Sequence, residues 1–99
     1  MITLRIPIKA APAQTLDTVV NGQYVSISLQ SRGGRMYASV WLDKVPVVLE
    51  RVCLDGVPLV SEAYRGMAGD LYFIDTLGAS DPTWELLGTR FVLIYHLGD

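Results

Sequence analysis

The pattern of hydrophobic and polar positions is clearest in residues 21–42. Residues 24–30 alternate between apolar and polar side chains, and after Gly33-Gly34 the alternation resumes over residues 36–42. A period of two places successive side chains on opposite faces of a sheet. Two glycines between such runs supply the positive φ that a tight turn needs. This stretch therefore predicts a β-hairpin with one apolar face.

Short apolar or alternating runs recur at intervals of about ten residues along the rest of the chain, separated by turn signals such as Asn21-Gly22 and Asp55-Gly56. The predicted strands cover residues 2–8, 15–20, 24–30, 35–42, 45–54, 71–76 and 90–97. Residues 57–60 are expected to be extended, and residues 61–69 to form either a strand or a loop.

One short helical turn is predicted between residues 81 and 88. Asp81 suits the N-cap, Pro82 the first helical position and Gly88 the end. The chain contains no helical pattern long enough to connect parallel strands, so its sheets are expected to be mostly antiparallel. The sequence thus predicts an all-β fold: a small antiparallel β-barrel or β-sandwich of about seven short strands with one short helical turn.

The inward positions of these strands predict the core. Its expected members are Val25, Ile27, Leu29, Val40, Leu71, Phe73, Leu93 and Tyr95. The strands at 71–76 and 90–97 are apolar on both faces, which is typical of strands buried on both sides, either centrally or against another subunit.

The length of the chain and its cysteine content limit the possible domain organisation and cross-links. The 99 residues are expected to form a single β-domain spanning 1–99. A lone cysteine, Cys53, excludes an internal disulfide framework, and its apolar neighbours predict a buried structural thiol in a reducing compartment. No apolar run approaches the length that spans a membrane, so we expect no membrane partner.

The low content of charged residues indicates what kind of partner the protein has. Charged residues make up 18% of the chain, against a usual quarter, and the formal net charge is −2. The arginines form no run, which argues against nucleic-acid binding. A small chain has much surface to cover, so a charge-poor composition predicts that another protein covers part of it.

Candidate chemistry is sparse. The only histidine, His96, has no cysteine or carboxylate cluster nearby in the sequence, so no zinc site is predicted. No serine lies in an elbow-like turn such as G-x-S-x-G, so no serine hydrolase triad with His96 as base is predicted either. Asp75 at a strand end is expected to accept hydrogen bonds from a turn. The glycines form no phosphate loop. We therefore expect no catalytic residues, no metal, no cofactor and no enzymatic activity.

One strand face stands out as a contact surface. Arg35, Tyr37, Ser39 and Trp41 share a face of the fourth predicted strand, opposite Met36, Ala38 and Val40. Aromatic and arginine side chains are enriched at protein interfaces, so these four residues are the predicted protein interface. The same face could stack nucleic-acid bases, an interpretation that the scattered basic residues disfavour.

The turn signals, taken as an ordered set, carry a resemblance. They are Pro12-x-Gln14, Asn21-Gly22-Gln23-Tyr24, Gly34-Arg35-Met36-Tyr37, Asp55-Gly56-Val57-Pro58-Leu59, Gly69-Asp70-Leu71 with Asp75, Asp81-Pro82, Leu87-Gly88, Arg90, Leu93 and Tyr95. In this order the chain resembles the baseplate plug family of contractile-tailed bacteriophages, known from a cyanophage. The regions 44–51 and 61–67 match the family least well.

The resemblance implies a structural, non-enzymatic virion protein of the tail baseplate. Such a protein is expected near the end of the tail tube, among tube, hub and spike proteins, in several copies around the tail axis. It would pass through the host cytoplasm during assembly. The alternative from a different class is a small carbohydrate- or ligand-binding β-domain that uses Tyr37, Trp41 or Trp84, and a hydrolase fragment is a third, weaker alternative.

Overall fold

The computed structural model describes residues 2–60 and 69–97. Its strands there are β1 (Ile2–Ile6), β2 (Ala13–Val20), β3 (Gln23–Arg32), β4 (Arg35–Leu42), β5 (Val45–Val52), β6 (Asp70–Asp75) and β7 (Phe91–Leu97). A short 3-10 helix at Trp84–Leu86 precedes β7. The predicted strand or loop at 61–69 lies, apart from Gly69, outside the described residues.

Two antiparallel sheets form the body of the protein. One has the strand order β1-β7-β6 and the other the order β2-β3-β4-β5. The sheets do not close on each other, so the fold is a β-sandwich rather than the β-barrel that the sequence left open. The predicted all-β antiparallel class is confirmed.

The core lies between the two sheets. The inward side chains of β3 and β4 face those of β6 and β7, and all eight predicted core residues are buried. Tyr95 is fully buried, and its burial raises the pKa of its hydroxyl. Alternation was a sufficient guide to these positions because each strand has one face in the core.

The first two strands begin and end differently from the prediction. β1 ends at Ile6 rather than at residue 8, because Pro7 lacks the N–H that would continue the ladder. Ile6 is buried, whereas Leu4 is 44% exposed although both residues lie on the same face of the strand. β2 begins at Ala13, two residues before the predicted start, and extends the sheet along β3.

Irregular pairing of β5 with β4 explains why the apolar and polar residues of β5 alternate poorly. Its pairing with β4 shifts between Ala38 and Val40 and again between Val40 and Trp41. Each shift inserts an extra residue, a β-bulge, which turns the following side chains to the other face. A period-two pattern is therefore broken at residues 49–50 and near 47, while the strand itself continues to Val52.

The predicted helical turn exists, but its start was wrong. The 3-10 helix covers only Trp84–Leu86, and its N-cap is Thr83 in an extended conformation, without a side-chain capping bond. Asp81 was the predicted N-cap. Its carboxylate instead accepts a hydrogen bond from the main-chain N–H of Asp55, 3.0 Å away. The Asp81 carboxylate therefore accepts a long-range hydrogen bond instead of capping the helix locally.

The two strands that are apolar on both faces lie side by side. β7 is central in its sheet, between β1 and β6, and Val92 on its outer face is buried. Ile94 on β7 and Tyr72 on β6 are half-buried on the same outer face, with Tyr72 pairing with Ile94. The central position agrees with one of the two predicted explanations, and cover of this face by another subunit stays a prediction.

A buried carboxylate ties β6 to the turn and to β7. The Asp75 side chain is inaccessible to solvent and accepts two hydrogen bonds from Arg90, through Nε and Nη2, each 2.8 Å long. It also accepts hydrogen bonds from the main-chain N–H groups of Leu77 and Ser80 in the turn that follows β6, as predicted from the sequence. The main-chain N–H of Asp75 in turn donates to the Asp55 carboxylate at 2.7 Å.

These contacts favour the charged form of Asp75. The hydrogen bonds from Arg90, followed by the turn N–H groups and the arginine charge, hold the pKa of the carboxyl far below its usual range, against the opposing effect of burial. The same partnership raises the pKa of Arg90. Bidentate arginine–carboxylate pairs of this kind fix geometry as well as adding attraction.

Gly88 allows the turn before β7 to lie directly against the chain that follows β1. Its φ is +85°, and a Cβ there would lie 2.5 Å from the carbonyl oxygen of Ile8. The Gly88 carbonyl also accepts a 2.6 Å hydrogen bond from Arg5 Nη2. Both the backbone conformation and the available space therefore require glycine at this position.

Truncating Phe73 tests the assignment of the core. Phe73→Ala should lower the free energy of unfolding by roughly 3–5 kcal/mol, because it removes a fully buried ring and leaves a cavity. Urea denaturation followed by circular dichroism measures the change. Leu77→Ala is the control, since Leu77 is 78% exposed and its loss should cost less than about 0.5 kcal/mol. Equal stability of the Phe73 variant and the parent would contradict the assignment.

The Asp75 contacts predict a pH dependence of stability. Its pKa is lower in the folded protein than in the unfolded chain, where it is about 3.9, so the carboxylate stabilises the fold fully above that value and progressively less below it. Asp75→Asn should therefore be much less stable than the parent at pH 7, and the difference should narrow as the pH falls below about 4. Denaturation at several pH values measures it.

Glu85→Gln is the matched control for that experiment, because Glu85 is exposed and the change removes the same charge. It should leave the denaturation midpoint nearly unchanged at every pH. A constant difference between the Asp75 variant and the parent from pH 7 to pH 2 would show that the ionised carboxylate is not what the contacts stabilise.

Cys53 should be inert in the folded state. The residue is 1% exposed, and burial raises the pKa of its thiol to about 12, so almost no thiolate forms at pH 8. A thiol reagent such as dithionitrobenzoate should label it at the rate of unfolding and promptly in denaturant. Prompt labelling of the native protein would contradict the buried position.

Candidate protein-contact face

The outer face of the four-stranded sheet carries an open depression of about 210 Å³. Side chains from three adjacent strands line it: Ser28, Gln30, Tyr37, Ser39, Trp41 and Glu50. Tyr37, Ser39 and Trp41 are three of the four predicted interface residues, and all three are half-buried. The structure thus brings these three together in one concave surface, with aromatic rings and polar groups side by side.

Pairing of β3 with β4 positions most of this surface. Ser28 pairs with Ser39 and Gln30 with Tyr37, with their side chains on the outer face of the sheet. The inward neighbours Met36 and Ala38 are fully buried, so the outer side chains stand on a rigid base. The turn at Gly33-Gly34 sets the register, since both glycines have positive φ.

Glu50 enters the depression through the β5 bulge at residues 49–50. Its φ is +53°, in the left-handed region, and its main-chain N–H donates a 2.9 Å hydrogen bond to the Ser39 hydroxyl. The Ser39 side chain therefore replaces the main-chain partner that the bulge removes. Left-handed backbone at a residue other than glycine, asparagine or aspartate is uncommon, and at Glu50 it turns an acidic side chain onto the outer face.

Arg32 lies at the rim and holds Tyr37 in place. Its guanidinium carbon is 4.4 Å from the centre of the Tyr37 ring, a cation–π contact. Arg32 Nη2 is also 2.9 Å from Glu50 Oε1, with both side chains more than half exposed. An ion pair so exposed to solvent contributes little stability. Its effect is to arrange a cation, a ring and a carboxylate along one edge of the depression.

Arg35, the fourth predicted interface residue, lies apart from the other three. It occupies the first position of β4, is exposed, and pairs across the hairpin end with Arg32. It does not line the depression. The interface predicted from the sequence did not include Arg32, Ser28, Gln30 or Glu50. The hairpin register could have identified the first three, whereas the bulge that directs Glu50 to this face has no local sequence signal.

His96 lies away from this face, on β7. Its Nδ1 is 2.8 Å from the Thr3 hydroxyl, and its ring makes an edge contact with Tyr72. Within residues 2–60 and 69–97, no group of three histidine, cysteine, aspartate or glutamate side chains could hold a metal ion. The absence of a metal and of a hydrolytic role for His96 stays a prediction.

No helix that could cross a membrane occurs in the part of the chain that the structure describes. The only helix there is the three-residue 3-10 helix, and none is long and apolar enough to cross a membrane.

Comparison with known proteins identifies a family. No curated protein matches the chain. The family model described as "Cyanophage baseplate Pam3 plug gp18" matches residues 3–97, nearly the whole sequence. The match covers both sheets, the 3-10 helix and the depression on β3–β5, and it agrees with the resemblance carried by the turn signals. The chain therefore belongs to the bacteriophage baseplate plug family, a family of structural proteins of the phage tail.

Proposed function

We propose that the chain is a structural subunit in the central part of a contractile-tail baseplate, close to the end of the tail tube. It packs there among tube, hub and spike proteins as one β-domain spanning residues 1–99, in several copies around the tail axis. It reaches this position after folding in the host cytoplasm. The single observation that carries the proposal is the family match over residues 3–97.

The outer face of β3–β5 is the proposed contact surface. Tyr37, Trp41 and the arginines 32 and 35 are of the types that dominate binding energy at protein interfaces. Both aromatic rings are half-buried by neighbours already, so their orientation is fixed before a partner arrives. The depression between them offers hydroxyl, amide and carboxylate groups to a partner's polar atoms.

Composition supports burial of this face in an assembly. Only 18% of the residues are charged, and the depression presents a single acidic side chain, Glu50, already paired with Arg32. A partner that covers the face therefore desolvates few unpaired charges. The proposal needs no catalytic group, and the side chains of this face act only by contact.

The carbohydrate-binding alternative uses the same depression. Half-exposed Tyr37 and Trp41 rings beside serine, glutamine and glutamate side chains are also groups that bind sugars through stacking and hydrogen bonds. The two functions differ in occupant: a baseplate subunit covers the whole face, whereas a glycan fills only the depression.

Assembly with neighbouring proteins tests the proposed function. The purified protein should co-elute with the tube-end and hub proteins encoded beside it, and Tyr37→Ala or Trp41→Ala should weaken that binding by roughly 2 kcal/mol, about thirtyfold. Binding by calorimetry and electron microscopy of tails provide the readouts. Tyr72→Ala is the matched control, because Tyr72 is a half-buried tyrosine on the outer face of the other sheet.

Two results would contradict the proposal. One is a protein that binds none of these partners while tails lacking it assemble and contract normally. The other is a glycan-array signal that Trp41→Ala abolishes in a protein without affinity for tail proteins, which would establish the alternative. If the Tyr37 and Tyr72 variants lose binding equally, the baseplate role stands and the assignment of the contact face fails.

A further inference from the structure

The four edge strands of the sandwich are protected unequally. The outer edge of β6 is covered by residues 55–59, because the main-chain N–H of Gly56 donates to Phe73 and that of Leu59 donates to Leu71. β5 contains Pro46 and two bulges, both of which prevent a further strand from pairing. β1 has only five residues and runs into Pro7.

Among the residues that the structure describes, β2 has none of these protections. Its eight residues pair with β3 without a bulge, and the strand contains no proline or lysine. Asp17 is its single charge, and Val19 on its outer face is 65% exposed. A straight, regular, charge-poor edge is a template for another strand. Such a strand adds through main-chain hydrogen bonds and is selected by its alternate side chains.

Main-chain geometry shows which groups of β2 are open. The N–H of Ser31 donates to the carbonyl of Pro12, which makes that pair a hydrogen-bonded one. Antiparallel pairs alternate, so the even-numbered residues of β2 bond to β3. The odd-numbered residues direct N–H and C=O to the edge, and within the described residues no main-chain bond reaches those of Thr15 or Asp17.

A groove of about 410 Å³ runs beside this edge, between residues 7–9 and 13–16. Ile8 and Leu16 line it and are only half-buried, although both pack against the core. Gln14 closes one side, since its amide bonds both the N–H and the carbonyl of Lys9. The space would accept one more apolar side chain from an added strand.

We propose that two copies of the protein join through their β2 strands, antiparallel, with Leu16 on the two-fold axis. In this register Thr15 pairs with Asp17 of the second copy and Ala13 with Val19 of the second copy. These are the odd-numbered residues with open groups, so they form roughly eight main-chain hydrogen bonds between the copies. The two four-stranded sheets become one continuous sheet.

Self-complementarity selects this occupant and this register. Shifting the pairing by two positions in one direction sets Asp17 against Asp17, and the opposite shift gives fewer hydrogen-bonded pairs. A shift by one position turns the inner face outward. In the proposed register Val19 is covered by Ala13, and each Leu16 side chain enters the groove of the other copy. The inference does not depend on the baseplate role.

Solution mass provides the first test. The wild-type protein should show a concentration-dependent mass that approaches twice the 10.9 kDa of one chain in light scattering and sedimentation. Thr15→Pro should leave a monomer, because it removes an open N–H while keeping the β2–β3 bonds. Thr15→Val is the matched control and should still dimerise. Circular dichroism confirms that each variant folds.

Charge at position 15 tests the register. Thr15→Asp places a carboxylate opposite Asp17 of the other copy, in two symmetry-related pairs per dimer, and should weaken the dimer on the order of tenfold. Thr15→Lys should tighten it by a similar factor. Asp17 is not substituted in this test, because its carboxylate accepts a hydrogen bond from Tyr24 within the same copy. That hydrogen bond raises the pKa of Tyr24.

Cross-linking tests the axis. Leu16→Cys should form a disulfide-linked dimer with oxidised glutathione, since opposed residues of a non-hydrogen-bonded pair have Cα atoms about 4.5 Å apart. Thr18→Cys, on the same face but two positions from the axis, should not. Cys53 is buried and does not interfere. A wild-type monomer at all concentrations, a dimer unaffected by Thr15→Pro, or a β2 edge bound only by another tail protein would each overturn the proposal.

Discussion

The register of β3 against β4 is the constraint on which the rest of the molecule depends. Side chains alternate between faces, so a slip of one residue would expose Met36 and Ala38 and drive Tyr37 and Trp41 into the core. The turn at Gly33-Gly34 and the complete burial of the inward residues both select the observed pairing. The same choice that builds the core therefore exposes the aromatic depression.

Local patterns predicted what local physics decides. Alternation identified the core because one face of β3, β4 and β6 contacts the opposite sheet along its length. It could not predict that Asp81 bonds to Asp55 instead of capping a helix, since the partner is 26 residues away. The left-handed Glu50 was equally hidden, because the Ser39 hydroxyl that stabilises the bulge belongs to a neighbouring strand.

The candidate contact face likewise contains residues that local spacing predicts and residues that only the tertiary structure shows. Three of its predicted residues share one strand, and period-two spacing alone placed them together. Arg32 and Glu50 come from other strands, and only the tertiary structure shows that Arg32 contacts both the Tyr37 ring and the Glu50 carboxylate. Family membership follows from the whole chain, and no single residue of this face determines it.

The close approach of Gly88 to Ile8 divides the glycines of this protein into two evolutionary classes. Glycines in open turns, such as Gly22, have free space around the Cβ position, so asparagine can replace them in related sequences at the cost of backbone preference alone. Gly88 and Gly69 are confined by main-chain atoms as well. Drift can change the hairpin tips of such a baseplate protein, but these two positions can vary only if the neighbouring main chain moves with them.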